Sequence, residues 1–219
     1  MKSKFFLQVI TVVFSFFALC RALNAAPVEE SIAVQWANST GAKLLEALGN
    51  NNLSDKYSVL NQMFENDVDG NYIARFVIGK YWKTMTSEQQ QNYLTLFNRY
   101  ALSLYKNYPL DFETTDISFN ITAAQAGKTH TSVFCTVTLP EQLANENFDH
   151  INLEFKLHQT DGKIKITDIK IGESSMLLTY RGRFYQMIKD ADEDMTWFLE
   201  DLETITVSNE RNAEQKLNQ

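Results

Sequence analysis

The first half of the chain places apolar residues at the three- and four-residue spacing of amphipathic helices. This pattern predicts a helix over residues 28–48, which Gly49 ends, and a second, shorter helix that begins after Ser54 as its N-cap. The apolar stripes of these two helices are Ile32, Trp36, Leu44 and Leu48, then Tyr57, Leu60 and Phe64. Each helix therefore has one face that the rest of the fold must cover.

Two further helices are predicted before the pattern changes. One covers residues 72–78 and stops at Gly79, and the longest covers 87–107. Thr86 followed by Gln89 forms a capping box at the start of the long helix. Its apolar stripe is Tyr93, Leu94, Phe97, Tyr100, Ala101, Leu104 and Tyr105.

From residue 117 onward the apolar period shortens to two, which is typical of strands with one buried face. The alternating positions are Ile117, Phe119, Ile121, Val133, Cys135, Val137, Leu139, Ile151, Leu153, Phe155, Leu157, Ile164 and Ile166. Asp161 and Gly162 form a strong hairpin turn, and the alternation slips near Asp168, which indicates a bulge or a strand end. Four strands with short links predict an antiparallel meander.

Helical spacing resumes over 174–189 and 192–204, whereas 207–219 is polar and unpatterned and is expected to be a flexible tail. Helices, then strands, then helices indicate the α+β class, with a sheet of four or slightly more antiparallel strands packed against several helices. Neither a repeat nor a linker divides the chain. We therefore expect a single domain over residues 26–206.

Residues 1–25 have the composition of a cleaved export signal. Lys2 and Lys4 precede an apolar stretch over 5–19, and small residues follow at Ala25 and Ala26. The stretch is shorter than the ~20 residues that span a bilayer. We therefore expect an exported protein. A lipoprotein anchor at Cys20 is disfavoured because the preceding Leu19 is bulky.

Removal of the signal changes the charge and the thiol count. The formal net charge moves from −7 to −10 as Lys2, Lys4 and Arg21 are lost, and such an acidic surface repels nucleic acids and anionic membranes. Cys135 is then the remaining cysteine, so no internal disulfide can form. The hydrophobic core must hold the fold, which a chain of this length can achieve.

Metal and nucleophile chemistry has little support in the sequence. His130 and His158 take the even-numbered strand phase, opposite the apolar positions, so both are expected at the surface. Cys135 takes the inner phase and is expected to be a small core residue. Motifs such as HExxH, CxxC, GxSxG and phosphate-binding glycine loops are absent from the sequence.

One carboxylate is a candidate for catalysis. Asp168 keeps the phase of Ile164 and Ile166, and an inward carboxylate in an apolar cone-shaped fold can be a general base. The favoured interpretation is that Asp168 ends a strand and caps or pairs with a nearby group, such as Arg181. A small-substrate enzyme therefore remains an alternative function. A third hypothesis is an exported adaptor with a fully packed core, because residue patterns do not distinguish a filled core from a hollow one.

Two segments carry a resemblance to a known family: NYIARFVIGKYW at 71–82 and SSMLLTYRGRF at 174–184. Together with the capping box at 86–89 and with Phe97, Tyr105 and Asp168 in this order, they resemble the MlaC, or toluene-tolerance, family of the Mla lipid-asymmetry pathway. The resemblance covers roughly residues 54–204 and is weak before them.

The resemblance implies a non-enzymatic periplasmic carrier that holds phospholipid acyl chains in an apolar cavity between sheet and helices. It implies two partners, an inner-membrane transporter with an MCE-domain component and an outer-membrane lipoprotein–porin complex. The carrier would shuttle phospholipid between them and so maintain outer-membrane lipid asymmetry. A monomer is expected, without a cofactor or metal other than the lipid as cargo.

Within that resemblance, the inner sheet positions and the facing aromatic residues are the candidate cavity lining. The set is Phe76, Trp82, Phe97, Tyr105, Phe119, Val137, Leu153, Phe155, Ile166, Met176 and Tyr180. Arg181 is the candidate for contact with the head group at the mouth, although a structural ion pair is the favoured role for this residue.

Overall fold

The computed structural model describes residues 25–107, 117–139 and 149–218. The export signal predicted at 1–25 lies, apart from Ala25, outside the described residues. Within them the chain forms six α-helices and a five-stranded antiparallel sheet. The elements are α1 (Glu30–Gly49), α2 (Leu53–Asp67), α3 (Gly70–Ile78), a 3-10 turn (Gly79–Thr84), α4 (Ser87–Asn107), β1 (Ser118–Ala126), β2 (Thr131–Thr138), β3 (His150–Thr160), β4 (Lys163–Ile171), β5 (Ser174–Ser175), α5 (Met176–Asp190) and α6 (Met195–Leu217).

The sheet is a meander in the order β1-β2-β3-β4-β5, with every neighbouring pair antiparallel. The four predicted strands are confirmed, and a two-residue fifth strand is added. The predicted hairpin turn is also confirmed, since Asp161 and Gly162 have φ values of 51° and 74°. The slip near Asp168 is a register shift, where Lys156 pairs with Asp168 but Leu157 pairs with Ile166.

Local chemistry sets the helix boundaries. The capping box is confirmed, because Gln89 N donates to Thr86 Oγ1 (3.2 Å) and Thr86 N donates to Gln89 Oε1 (2.9 Å). The second helix begins two residues earlier than predicted. Its N-cap is Asn52, whose Oδ1 accepts from Asp55 N at 3.1 Å, rather than Ser54.

The main hydrophobic core lies among α3, α4, α5 and α6. Its centre is a group of fully buried aromatic rings in contact with one another, namely Tyr93, Tyr100, Phe184 and Phe198. The Tyr93 hydroxyl donates to the Ala74 carbonyl at 2.9 Å, so its buried polar atom is satisfied. Within the described residues, none of the helices has the length and apolar character needed to cross a bilayer.

The expectation of a flexible tail over 207–219 was wrong as far as Leu217, because α6 continues to that residue. Several of its polar side chains contact α4, while others on the opposite side are exposed. Arg99 pairs with Glu203 (3.0 Å) and Glu210 (2.7 Å), and Lys216 Nζ donates to the Asn107 carbonyl (2.9 Å). The apolar stripe of this helix lies before Thr206, and the segment after it has only Ala213 buried, so periodicity did not reveal that the helix continues.

Candidate functional site

An apolar cavity of about 380 Å³ lies between the sheet and the first two helices. The sheet contributes Ile117, Phe119, Val137, Leu139, Leu153, Phe155, Ile166 and Ile169. Helices α1 and α2 contribute Trp36, Leu44, Leu45, Leu48, Leu60, Met63 and Phe64, and Tyr105 of α4 completes the wall. The lining is almost entirely hydrocarbon and aromatic surface, which suits a long apolar ligand.

Small residues on α1 set how closely this helix approaches the sheet beside the cavity. At one end the helix packs closely on the sheet through small residues, since Ala33 and Ala37 are buried against Val133 and Leu157. Further along α1, Gly41 faces the ring of Phe119, and a Cβ at this position would lie 2.9 Å from a ring carbon. The missing side chain at Gly41 therefore leaves space for the Phe119 ring against the helix.

A second, smaller space of about 70 Å³ adjoins this cavity. We call the smaller space the side chamber and the cavity beneath α1 and α2 the large cavity. It lies among α3, α4, α5 and β4 and is lined by Ile73, Phe97, Tyr100, Ala101, Thr167, Asp168, Met176, Leu177 and Tyr180. Five residues border both spaces, namely Phe64, Val68, Tyr105, Ile166 and Ile169. We call these five residues the partition.

The structure places the predicted lining residues in three groups. Tyr105, Phe119, Val137, Leu153, Phe155 and Ile166 border the large cavity. Phe97, Met176 and Tyr180 border the side chamber instead, together with Tyr105 and Ile166 of the partition. Contact of these nine residues with a lipid stays a prediction.

The remaining two lining candidates and the head-group candidate border neither space. The Arg181 guanidinium stacks on the rings of Phe76 (5.0 Å) and Tyr185 (5.2 Å), and it donates to the Tyr185 hydroxyl at 3.0 Å. Trp82 contacts Tyr93 edge-on. Trp82 packs on the helical core and Phe76 lies against Arg181, so all three side chains lie away from the two spaces. Contact of these residues with a lipid stays a prediction.

Sequence reasoning did not propose the first two helices as the roof of the cavity. Trp36, Leu44, Leu60 and Phe64 were recognised as stripes of the first two helices, yet none was proposed as lining. The signal was present, since an amphipathic helix before a one-faced sheet needs an apolar partner surface. The family resemblance, which is weak before residue 54, drew attention to later helices.

Asp168 caps a helix. Its Oδ2 accepts from Ser175 Oγ (2.7 Å) and its Oδ1 accepts from Leu177 N (3.0 Å), at the start of α5. Ser175 Oγ accepts in turn from Leu178 N at 3.1 Å. The register shift puts Asp168 out of phase with Ile166, which corrects the predicted common phase. The partner of Asp168 is Ser175 and not Arg181, and both carboxylate oxygens are used in this cap.

His158 is buried and His130, which directly precedes β2, is half-buried against it, which corrects the prediction that both lie at the surface. His158 is 2% exposed, and its Nε2 lies 2.8 Å from Asp69 Oδ2. The rings of His130 and His158 stack with centroids 5.5 Å apart, and Tyr72 of α3 meets both. The prediction placed His158 on the correct face of β3. It was wrong about exposure, because α3 covers that face here.

Burial lowers the pKa of His130 below its ordinary value, and the neighbouring His158 and Lys156 lower it further. In the unfolded chain the imidazole titrates near pH ~6.5. Below that pH the unfolded chain binds a proton that folded His130 does not. The folded protein therefore loses stability as the pH falls from about 6.5 toward the lower folded-state pKa. His130→Gln is expected to flatten this acid-side slope in urea denaturation measured at several pH values. An unchanged slope would contradict the assignment.

Cys135 is a core residue, as predicted, and is 2% exposed. Burial raises the pKa of its thiol to about 11, so at neutral pH it is protonated and a poor nucleophile. Among the described residues, no group of three or more histidine, cysteine, aspartate or glutamate side chains is arranged to hold a metal ion.

The fold and the cavity together define a class of protein, an α+β binding domain whose sheet and first helices enclose a hollow apolar space. A model of the family described as MlaC protein matches residues 38–204, and the chain belongs to this family. The match begins within α1 and so includes most of both helices that roof the cavity.

A solved structure shares this fold. The phospholipid-binding protein from Ralstonia solanacearum, determined in complex with a phospholipid, has a TM-score of 0.63 at 16% identity, covering 79% of this chain and 96% of that one. At this identity the likeness shows the fold. No curated protein sequence matches the chain.

Proposed function

We propose that this protein is a periplasmic phospholipid carrier that holds acyl chains in the cavity between α1, α2 and the sheet. The observation that carries the proposal is the apolar lining of that cavity. Membership of the MlaC family and the phospholipid complex of the Ralstonia protein support the same ligand. An adaptor with a filled core is disfavoured by the hollow itself.

The size of the cavity fits the proposed cargo. A group the size of a water molecule needs about 10–15 Å³ of cavity volume, and a methylene is of similar size. A volume of about 380 Å³ therefore holds roughly thirty methylene-sized groups, close to two chains of about sixteen carbons. Burial of those chains gains roughly 25 kcal/mol relative to water. A bilayer offers nearly the same gain, so transfer in either direction is close to balanced.

The route of the lipid is also a proposal. In the family that the chain belongs to, carriers exchange lipid with an inner-membrane MCE-domain transporter component and an outer-membrane lipoprotein–porin complex. The export signal predicted at 1–25 agrees with such a periplasmic route. On this proposal the chain maintains outer-membrane lipid asymmetry as a monomer and needs no cofactor.

The enzymatic alternative has less support than the carrier. A general base needs a free lone pair near a substrate. Asp168 is 6% exposed and accepts hydrogen bonds through both oxygens from the start of α5. Asp168 therefore has a sufficient structural role as a helix cap.

Organic extraction of the purified full chain, followed by mass spectrometry, tests the carrier proposal. We expect stoichiometric diacyl phospholipid after expression with export to the periplasm. Delipidated protein is expected to take phospholipid again from vesicles. Protein that is reproducibly empty, and that takes up none from vesicles, would refute the carrier function.

A further inference from the structure

The side chamber lies directly behind the lipid-sized cavity, and the partition separates them. Three members of the partition are held by backbone pairing. Val68 and Ile166 form a parallel bridge, Asp69 N donates to the Ile166 carbonyl at 2.9 Å, and Ile169 pairs with Phe155 across β4 and β3. These positions cannot separate without breaking the sheet or its junction with α2.

The other two members meet through their rings. Phe64 of α2 and Tyr105 of α4 have ring centroids 6.3 Å apart at a tilt of 56°. Phe64 is 9% exposed, whereas Tyr105 is 43% exposed at its place on the cavity wall. Rotation of an aromatic side chain between rotamers leaves the backbone in place. The aromatic pair is therefore the part of the partition that can open.

The chamber behind the pair suits hydrocarbon rather than a polar group. Apart from three tyrosines, its wall has two polar side chains, and both already have partners. Asp168 accepts from Ser175 and Leu177, and Thr167 Oγ1 donates to the Lys156 carbonyl at 3.1 Å. A volume of about 70 Å³ holds about five methylene-sized groups. That is the length by which long acyl chains exceed short ones.

We propose that the side chamber accepts the ends of long acyl chains, and that Phe64 and Tyr105 form the gate that sets the chain length the carrier takes. The inference rests on the proposed carrier function and adds a specificity determinant to it. Chains that fit within the large cavity leave the pair closed. Longer chains displace the Phe64 ring and continue between α4 and α5.

The test uses delipidated full chain equilibrated with vesicles of monounsaturated phosphatidylcholines that share one head group and range from fourteen to twenty carbons. Mass spectrometry gives the ratio of long to short chains bound. Phe64→Ala removes the ring that long chains must displace and is expected to raise this ratio about tenfold over wild type. That factor corresponds to a displacement cost equal to the burial of between one and two methylenes, each worth about fourfold in affinity. Ala101→Leu fills the chamber from α4 and is expected to lower the ratio severalfold.

Combination of the two changes provides the internal control. Ala101→Leu is expected to cancel the shift caused by Phe64→Ala. In the Leu60→Ala background it is expected to lower the ratio by the same severalfold factor as in wild type, because Leu60 borders the large cavity alone. Should Phe64→Ala not fold, Tyr105→Ala opens the same gate from the more exposed side. A wild-type ratio in the opened variant, or a shift that Ala101→Leu fails to cancel, overturns the gate. Absence of lipid from every protein refutes the carrier function itself, and the gate with it.

Discussion

Gly41→Trp is expected to lower the phospholipid bound to the protein at least about tenfold while the fold is retained. The new side chain starts 2.9 Å from the Phe119 ring, on the cavity side of α1. An indole would occupy about a third of a space for roughly thirty methylene-sized groups. Exclusion of two methylenes already costs about 1.6 kcal/mol, which is more than tenfold in affinity. The substitution does not weaken α1 itself, because tryptophan is a better helix former than glycine.

Gly182→Trp is the matched control for this experiment. Gly182 is also a helical glycine, but an added Cβ there has no neighbour within 4 Å. Both variants would be extracted and analysed for phospholipid, and circular dichroism would compare their thermal unfolding. Equal lipid content in the two folded variants would mean that the cargo does not occupy the space beside Gly41.

The sheet was the part of the fold that the sequence predicted best. Alternation from Ile151 to Leu157 has period two, and Asp161-Gly162 is a turn whose backbone needs positive φ, so strand, turn and register all follow from local chemistry. The slip near Asp168 was also visible. What the sequence did not reveal is on which face of the sheet Asp168 lies, because a shift of one residue reverses the face of every later side chain.

The cavity was predicted as a feature of the family, but the first two helices were not recognised as its roof. Periodicity shows which face of a helix is apolar, and it does not show which surface covers that face. Trp36 and Leu60 were therefore known to be on apolar stripes, while Phe76 and Trp82 were equally plausible as lining. The choice depends on tertiary packing, in which α3 joins the helical core and α1 lies on the sheet.

The buried histidines were missed for a related reason. A side chain at an even-numbered strand position faces away from the apolar side of the sheet. It is exposed to solvent only where no other element packs on that opposite side. His158 faces α3, whose N-cap Asp69 supplies its partner. No single-sequence pattern links a histidine on β3 to an aspartate 89 positions earlier.

Asp69→Ala is expected to lower the free energy of unfolding by about 2–4 kcal/mol. Asp69 Oδ1 accepts from Tyr72 N at 2.9 Å as the cap of α3, and loss of such a cap costs about 1 kcal/mol. Oδ2 lies 2.8 Å from Nε2 of His158, and a buried polar group left without its partner costs about 1–3 kcal/mol. Urea denaturation at neutral pH measures the sum.

Two further variants separate the terms of that sum. Asp194→Ala removes a cap from α6, where the carboxylate accepts from Thr196 N and Trp197 N at an exposed site, so it is expected to cost about 1 kcal/mol. Asp69→Asn keeps the cap, since asparagine caps as well as aspartate, and removes the charge that faces His158. The amount by which the loss of unfolding free energy in Asp69→Ala exceeds the loss in Asp194→Ala therefore measures the contribution of the contact with His158. Equal losses in those two alanine variants would mean that the histidine contact contributes nothing to holding α3 on the sheet.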